Sequence, residues 1–178
     1  MKVYTKTGDK GETGLIKDRV SKAHPRIHII GMLDDVMVQQ GILLSSVEEK
    51  GLLKKDDLRQ VYKTFFIIQS KLADVNNQYG LSIEEEYIDF LEQAIDLMDE
   101  VLPKLKNFIY YTGHTESLIA HKVRTKIRNV ERLVVHLNNE EKIDSGIMIY
   151  LNRSSDYFYT LARYINFVQN IEEEIINL

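Results

Sequence analysis

The sequence predicts an all-α protein: a five-helix bundle of the ferritin-like up-down type, preceded by an irregular N-terminal loop. Two observations lead to this prediction, since apolar residues recur at helical spacing in five segments and the connections between segments are short. The chain of 178 residues is 44% hydrophobic and 28% charged, as is typical of one folded domain with a substantial core. We therefore expect a single domain over residues 1–178, with the loop over 1–24 and the bundle over 25–178.

Each helix is predicted from its own apolar stripe. The first stripe follows Pro25 and comprises Ile27, Ile30, Met37, Val38, Gly41 and Leu44. The second comprises Leu58, Val61, Phe65, Ile68, Leu72 and Val75. The third comprises Ile88, Leu91, Ile95, Met98 and Leu102, after a predicted capping box of Ser82 and Glu85 and before a stop at Pro103. The fourth comprises Val123, Ile127, Val130, Val134 and Leu137, and the fifth Leu151, Ser154, Phe158, Leu161, Ile165 and Val168.

Composition limits the classes of function. The chain has no cysteine, which excludes disulfides, thiolate metal sites and a cysteine nucleophile. A net charge of −4 disfavours a nucleic-acid partner, because such proteins usually present a basic surface. We see neither the apolar segment of a signal peptide nor an apolar run that approaches a membrane span. The expectation is a cytoplasmic protein with no membrane partner.

The N-terminal segment TKTGDKGETGL, residues 5–15, combines glycines, hydroxyl groups and cations. Gly8, Gly11 and Gly14 lie within seven residues, and the segment matches neither the P-loop nor the dinucleotide-binding pattern. Glycines allow backbone N–H groups to approach an anion closely, and neighbouring lysines and threonines add charge and donors. The segment is therefore a candidate phosphate-binding loop, and a plain mobile turn is the alternative.

Polar residues beside three of the stripes are the other candidates. Asp34 shares the stripe of Ile30 and Met37 and should point inward, where a carboxylate needs a partner, or else lie at the solvent edge of the stripe. In the fourth helix, three arginines recur every four residues beside His121 and Glu131: Arg124, Arg128 and Arg132. Such a row either binds a carboxylate or phosphate, or forms an exposed salt-bridged face. In the fifth helix, one edge carries Asn152, Asp156, Tyr159 and Arg163. Asn152 and Asp156 could contact a ligand or bond the neighbouring arginines.

Taken in order, these segments resemble one known family. TKTGDKGETGL is followed by Arg19 and Lys22, by GMLDD around Asp34, by LKNFI around Phe108, and by RTKIRNVER and YLNRSSDYF in the last two helices. This combination is similar to the PduO-type ATP:cob(I)alamin adenosyltransferases over nearly the whole chain. The resemblance implies a homotrimeric helical bundle with active sites between subunits. It also implies transfer of the 5′-deoxyadenosyl group of ATP to the cobalt of cob(I)alamin, with release of triphosphate and with Mg²⁺ accompanying the ATP.

The resemblance assigns roles to individual residues. It places four loop residues around the triphosphate, Thr5, Lys6, Thr7 and Gly8, with Thr13, Gly14 and Lys22 close by. It assigns the rest of the nucleotide to Arg128, Glu131, Arg132 and Asn152. Asp34 and Arg124 match a pair that forms a salt bridge across the subunit interface, and Phe108 matches an aromatic residue that closes the lower face of the corrin and helps to displace its axial base. No metal ligand is assigned.

The chain departs from the family pattern at several positions. Met37 stands where an asparagine is common, Tyr111-Thr112-Gly113 replaces Pro-Gly-Gly, Asn129 replaces the second arginine of a pair, and Lys17-Asp18 replaces Gly-Gly. Most of these changes fall on the corrin side, so two alternatives stay open beside the enzyme. One is a divergent protein that binds ATP or adenosylcobalamin as a carrier or regulator, and the other is a structural trimer. For residues 5–14 we expect mobility without nucleotide and order with it.

Overall fold

The computed structural model describes residue 4 and residues 6–177. Five helices make up most of this part of the chain: α1 (Pro25–Ser46), α2 (Lys55–Ala73), α3 (Glu85–Val101), α4 (Thr115–Asn138) and α5 (Ser145–Val168). The predicted five-helix bundle is confirmed. The N-terminal segment is less irregular than predicted, because two short strands, β1 (Glu12–Gly14) and β2 (Arg19–Ser21), form an antiparallel hairpin with Thr13 opposite Val20.

Helix α5 lies at the centre of the bundle. It packs against α4 and α3, while α1 packs against α4 and α2. Along its length α5 buries large side chains such as Leu151, Phe158 and Ile165, and it also buries the polar Ser154 and Thr160. A helix buried on nearly every side must satisfy its polar groups internally, and Ser154 Oγ donates to Leu151 O at 3.0 Å.

The predicted stripe of α4 is confirmed in full, and those of α2 and α5 are confirmed except at their last positions. Val75 lies beyond the end of α2 and is exposed, and Val168 is half-buried. In α3, Leu91 and Met98 are buried, as is Leu102 just after the helix. Each of these helices has one apolar face, so the sequence shows which side of the helix enters the core.

The stripe of α1 is wrong, with Met37 its only buried member. The residues that enter the core are Ile29, Leu33, Val36, Met37, Gln40 and Leu43. Val38 is 60% exposed instead. The reason is that α1 is apolar on two faces, so its periodicity fits two phases equally well. The prediction that Asp34 points into the core is also wrong, because this residue is exposed in the single chain.

The predicted capping box of α3 is also wrong. The helix begins at Glu85, and Glu84 occupies the N-cap position without a side-chain capping bond. Ser82 lies two residues upstream and its hydroxyl bonds the Glu84 carboxylate instead. Ile83 is buried beside Gly146 at the start of α5, which keeps this stretch extended and delays the helix.

Helix α1 is long and apolar enough, by length and composition alone, to cross a membrane. Its best 18-residue window has a mean hydropathy of 1.3, so the expectation that no apolar run approaches a span is wrong for this helix. A core helix passes the same test, and α1 contributes Leu33 and Val36 to the core of the bundle.

Candidate functional site

The N-terminal hairpin places a lysine over a glycine. A Cβ atom added to Gly8 would lie 3.2 Å from Lys22 Nζ and 3.2 Å from Glu12 O. The backbone N–H of Lys22 donates to Gly11 O at 2.9 Å, and Arg19 Nη2 donates to Thr7 O at 2.7 Å. The fold therefore brings Gly8 and Lys22 together, as the sequence predicts, and leaves Lys6 and Thr7 exposed.

Thr13 and Gly14 lie on β1, opposite Val20 and Arg19. Thr13 is half-buried and Gly14 is exposed. Thr5, the first residue of the predicted phosphate loop, lies outside the described residues. The hairpin is anchored to the C-terminal end of α2, because Ile16 N donates to Ala73 O at 3.0 Å.

A second polar group lies on α4 and α5. Asn152 Nδ2 donates to Glu131 Oε1 at 3.0 Å, which joins the two helices at predicted site residues. Arg128 and Arg132 are exposed on α4. The Arg132 guanidinium donates to the side chain of Asn129, so the residue that replaces the family arginine orients its neighbour.

The predicted partners on the edge of α5 are partly confirmed. Asp156 accepts from Arg153 Nη1 at 3.2 Å on the same helix, whereas Asn152 bonds Glu131 and not an arginine. Arg163 instead turns toward the C-terminal tail and forms a bidentate pair with Glu173 at 2.6 and 3.0 Å.

Arg124 lies in an aromatic cluster that the sequence reasoning missed. Its guanidinium carbon is 4.9 Å from the centre of the Tyr111 ring and 5.7 Å from that of Tyr159. The His121 ring is 4.4 Å from Tyr111 and 5.8 Å from Tyr159, centre to centre. Within the described residues, Arg124 Nε and His121 Nδ1 have no hydrogen-bond partner. The i, i+3 spacing of His121 and Arg124 was the available signal, because it places both on one face of α4.

Burial lowers the pKa of His121 to about 4, and the nearby Arg124 charge acts in the same direction. The imidazole is therefore neutral near pH 7. A neutral ring between two tyrosines and beside a guanidinium avoids the repulsion that a charged imidazole would introduce.

Asp34 and Arg124 do not meet within one chain. The Asp34 carboxylate accepts from the Gln69 amide on α2, and the ion pair between α1 and α4 is made by Asp35 and Lys126. Asp34 thus lies at the surface beside Gln69. The alternative prediction, that it lies at the solvent edge of the stripe, is right for the single chain.

Phe108 lies in the segment between α3 and α4, with its side chain 74% exposed. Its backbone is nonetheless held by the C-terminal tail, which we define as residues 171–176. Ile176 N donates to Phe108 O at 2.8 Å, and Ile109 forms an isolated antiparallel bridge with Ile175. Residues of the tail, residues 102–107 and Ile109 line an open cavity of about 590 Å³, together with Arg163 and Phe167.

The turn after Tyr111 keeps the last glycine of the family motif for a steric reason. Gly113 has φ +111°, and a Cβ atom there would lie 2.4 Å from Asn166 Oδ1. Asn166 uses both polar atoms of its side chain on this turn, accepting from His114 N at 2.9 Å and donating to Thr112 O at 3.0 Å. The substitutions at Tyr111 and Thr112 therefore leave a turn that α5 holds firmly.

The described residues contain no group of three or more His, Cys, Asp or Glu side chains arranged to hold a metal ion. The arrangement instead offers cations and N–H groups on the hairpin, arginines and an amide–carboxylate pair on α4 and α5, and an exposed aromatic ring on the loop. The cations and N–H groups are suited to binding anions. The exposed aromatic ring is suited to contact with a large apolar surface of a ligand.

Comparison with known proteins agrees with this geometry. The cobalamin adenosyltransferase family model matches residues 3–165. The corrinoid adenosyltransferase of Bacillus subtilis (strain 168) is 36% identical over 168 residues, covering 93% of this chain and 87% of that protein. The corrinoid adenosyltransferase PduO of Citrobacter freundii is 34% identical over 167 residues, covering 92% of this chain but only 49% of that longer protein.

The fold also matches a solved structure over its full length. A phenylalanine-to-alanine variant of the PduO-type ATP:corrinoid adenosyltransferase from Lactobacillus reuteri, complexed with cobalamin and ATP, superposes with a TM-score of 0.91. The two chains are 30% identical, and the match covers 99% of this chain and 100% of that one. The chain therefore belongs to the cobalamin adenosyltransferase family.

Proposed function

We infer that this chain transfers the 5′-deoxyadenosyl group of ATP to the cobalt of cob(I)alamin. The Co–C5′ bond forms as the C5′–O bond breaks, and the electron pair of that bond leaves with triphosphate. Cob(I)alamin is itself the nucleophile, so the protein needs no Ser, Cys or His nucleophile and must instead orient the two substrates and stabilise the leaving group. The observation that carries the proposal is the closeness of Gly8 and Lys22 in a chain of this family, since a Cβ atom added to Gly8 would lie 3.2 Å from Lys22 Nζ.

On the nucleotide side, the hairpin binds triphosphate. Lys6 and Lys22 supply charge, Thr7 supplies a hydroxyl, and Gly8 allows close approach of the phosphates. Thr5, Thr13 and Gly14 belong to the same set by resemblance. Stabilising the negative charge that develops on the triphosphate is the main catalytic contribution we assign to this element.

Four residues of α4 and α5 bind the remainder of the nucleotide: Arg128, Glu131, Arg132 and Asn152. Support comes from the Glu131–Asn152 hydrogen bond and from the Asn129 contact that orients Arg132. The two exposed guanidiniums can bind phosphate oxygens in a bidentate manner.

Mg²⁺ would be held mainly by the phosphates of ATP. Mg²⁺ keeps several waters and commonly binds through one or two carboxylates plus substrate phosphates. The described residues offer no acidic cluster, and Glu131 is the one carboxylate of the predicted nucleotide set. The ion would neutralise triphosphate charge, while the protein groups above orient the nucleotide.

On the corrin side, we assign Phe108 to the lower face of the ring. Its side chain is 74% exposed and thus free to contact a ligand, and phenylalanine cannot coordinate cobalt. An apolar ring there favours loss of the lower axial ligand.

We also propose that the chain acts as a homotrimer in the cytoplasm. Ile30, Asp34, Val38 and Ile42 follow one another at intervals of four on α1 and form the α1 outer face, on which Val38 is 60% and Ile42 47% exposed. A second copy covering this face would bury its apolar side chains and give Asp34 a cationic partner, Arg124, across the interface. Membership of the family favours this occupant.

An anaerobic assay tests the function. With ATP, Mg²⁺ and chemically reduced cobalamin, we expect the cob(I)alamin absorbance to fall and adenosylcobalamin and triphosphate to form in equal amounts. ATP binding measured separately, without adenosylcobalamin formation, would contradict the enzyme and favour the carrier alternative. Omitting Mg²⁺ should weaken ATP binding if the ion neutralises the triphosphate.

A further inference from the structure

We propose that the C-terminal tail, residues 171–176, is a positioning strand for Phe108, and that the pair of Arg163 and Glu173 anchors it. The proposal rests on the proposed function insofar as Phe108 is taken to contact the corrin. It assigns a role to residues that lie outside the predicted substrate-binding set.

The tail holds the backbone on both sides of Phe108. Ile176 N donates to Phe108 O at 2.8 Å, and Tyr110 N donates to Glu174 O at 2.8 Å. Between them Ile109 is buried and pairs with Ile175. The Phe108 backbone is thus fixed while its ring remains largely in solvent, which is the arrangement needed to present a side chain to a ligand at a defined position.

One guanidinium ties the tail to the bundle. Arg163 is 6% exposed, and its Nε and Nη2 donate to Glu173 Oε1 and Oε2 at 2.6 and 3.0 Å. The same Nη2 donates to Pro103 O at 2.7 Å, where the segment that carries Phe108 begins. A bidentate, charge-assisted pair combines strength with a fixed geometry. Because Arg163 bonds both Glu173 and Pro103 O, it fixes the tail and the start of the loop relative to each other.

The far end of the loop is fixed from the same helix. Asn166, one turn after Arg163, bonds Thr112 O and His114 N. Between these two attachments the tail supplies the backbone contacts on either side of Phe108. Loss of the tail anchor should therefore release the middle of the loop while both ends stay attached.

A positioning role differs measurably from a general structural one. The nucleotide-binding hairpin is anchored at Ala73 on α2, whereas the tail is anchored on α5. Releasing the tail should therefore alter corrinoid handling and leave ATP binding unchanged. A general loss of structure would impair both.

The test is Glu173→Ala, with Glu172→Ala as the matched control because Glu172 is the adjacent exposed carboxylate. Hydrogen exchange on the full-length protein should show faster exchange of the Tyr110 and Ile176 amides, by about tenfold or more, in Glu173→Ala alone. The KM for cob(I)alamin should rise, or kcat fall, on the order of tenfold, while the KM for ATP changes less than about twofold. With ATP bound, the fraction of cob(II)alamin that has lost its lower ligand should also decrease.

The Phe108→Ala background makes the test specific. If the tail acts through Phe108, adding Glu173→Ala to Phe108→Ala should cause no further loss in corrinoid kinetics. Unchanged amide exchange in Glu173→Ala, unchanged corrinoid parameters despite faster exchange, or additive effects in the double variant would each overturn the proposal. A parallel loss of ATP binding would overturn it as well.

The exchange and cob(II)alamin measurements need no turnover. They therefore decide the role of the tail even if the wild-type chain proves unable to make adenosylcobalamin, an outcome that would contradict the proposed function alone.

Discussion

Tyr111 changes the environment of one arginine. It stands where proline is common in the family, and its ring lies 4.9 Å from the Arg124 guanidinium carbon. Because Arg124 Nε has no hydrogen-bond partner among the described residues, the aromatic faces of Tyr111 and Tyr159 provide much of its stabilisation. A substitution beside the proposed corrin loop thus reaches a helix that carries residues of the proposed nucleotide site.

The contact between Tyr111 and Arg124 should stabilise the folded chain by an energy that depends on both side chains. Tyr111→Leu should lower the free energy of unfolding by about 0.5–2 kcal/mol because it removes the cation–π contact, whereas Tyr111→Phe should retain it. Urea denaturation at one fixed protein concentration measures both. In an Arg124→Ala background the difference between the leucine and phenylalanine variants should disappear, and its persistence would show that the ring acts through another contact.

His121 predicts a pH dependence of stability. Its pKa is about 4 in the folded chain and near 6.5 when unfolded, so between these values the unfolded state binds more protons. Stability should therefore be complete above pH 6.5 and fall by about 1.4 kcal/mol per pH unit as the pH drops toward 4. The groups that face the imidazole are Arg124, Tyr111 and Tyr159, and burial raises the pKa of Tyr159, which stays neutral throughout.

The measurement compares wild type with His121→Phe, which keeps a ring but cannot titrate. Between pH 7 and pH 5 the wild type should lose about 2 kcal/mol more stability than the variant. Equal losses would mean that folding does not lower the pKa of His121.

Among the elements, the hairpin has the clearest functional prediction. Lys22→Ala removes the cation that lies beside Gly8 and should weaken ATP binding by about tenfold to a hundredfold, as expected for one charge-assisted phosphate contact. Lys17→Ala removes the same charge from the exposed turn between the strands and should change the affinity less than about threefold. Calorimetric titration with MgATP measures both, and equal effects would place the phosphates elsewhere.

Sequence patterns predicted the elements unevenly, for physical reasons. Stripes such as Leu58–Phe65–Leu72 have one apolar face and so reveal which side enters the core. Helix α1 has two, and only the packed chain shows that Leu33 is buried and Val38 is not. The pairing of Ile109 with Ile175 joins segments far apart in the chain, and a single bridge leaves no periodicity to read.

The candidate site was predictable to a similar degree. Gly8 with Lys22, and Glu131 with Asn152, are brought together as the motifs suggest. In the cluster around Arg124 only the His121–Arg124 spacing was a signal in the sequence, because Tyr111 reaches the cluster from a loop whose course depends on Asn166. The resemblance to the family groups the residues of these two pairs, whereas the position of a substituted loop residue such as Tyr111 depends on tertiary contacts.

For the whole molecule, the prediction concerns assembly. Val38→Glu places a charge on the α1 outer face, one turn after Asp34, and should convert the proposed trimer to smaller species and reduce adenosyl transfer. Leu97→Glu makes the same change at a side chain of α3 that is 50% exposed and should sediment as the wild type does. Analytical ultracentrifugation distinguishes them, and a monomeric wild type would contradict both the interface and the Asp34–Arg124 pair.

Helix α5 sets a fixed spacing between the two groups of residues that we propose for the nucleotide and for the corrin. Asn152 lies in its first half, and Arg163 and Asn166, which hold the Phe108 loop, lie in its second. At a rise of 1.5 Å per residue, Asn152 and Arg163 are separated by about 16 Å along the helix axis. Because α5 contributes buried residues along its length, from Ile147 to Asn166, the distance between the proposed nucleotide contacts and the proposed corrin loop is built into the helix and cannot adjust locally. Inserting one residue between them would rotate the second half by about 100° relative to the first.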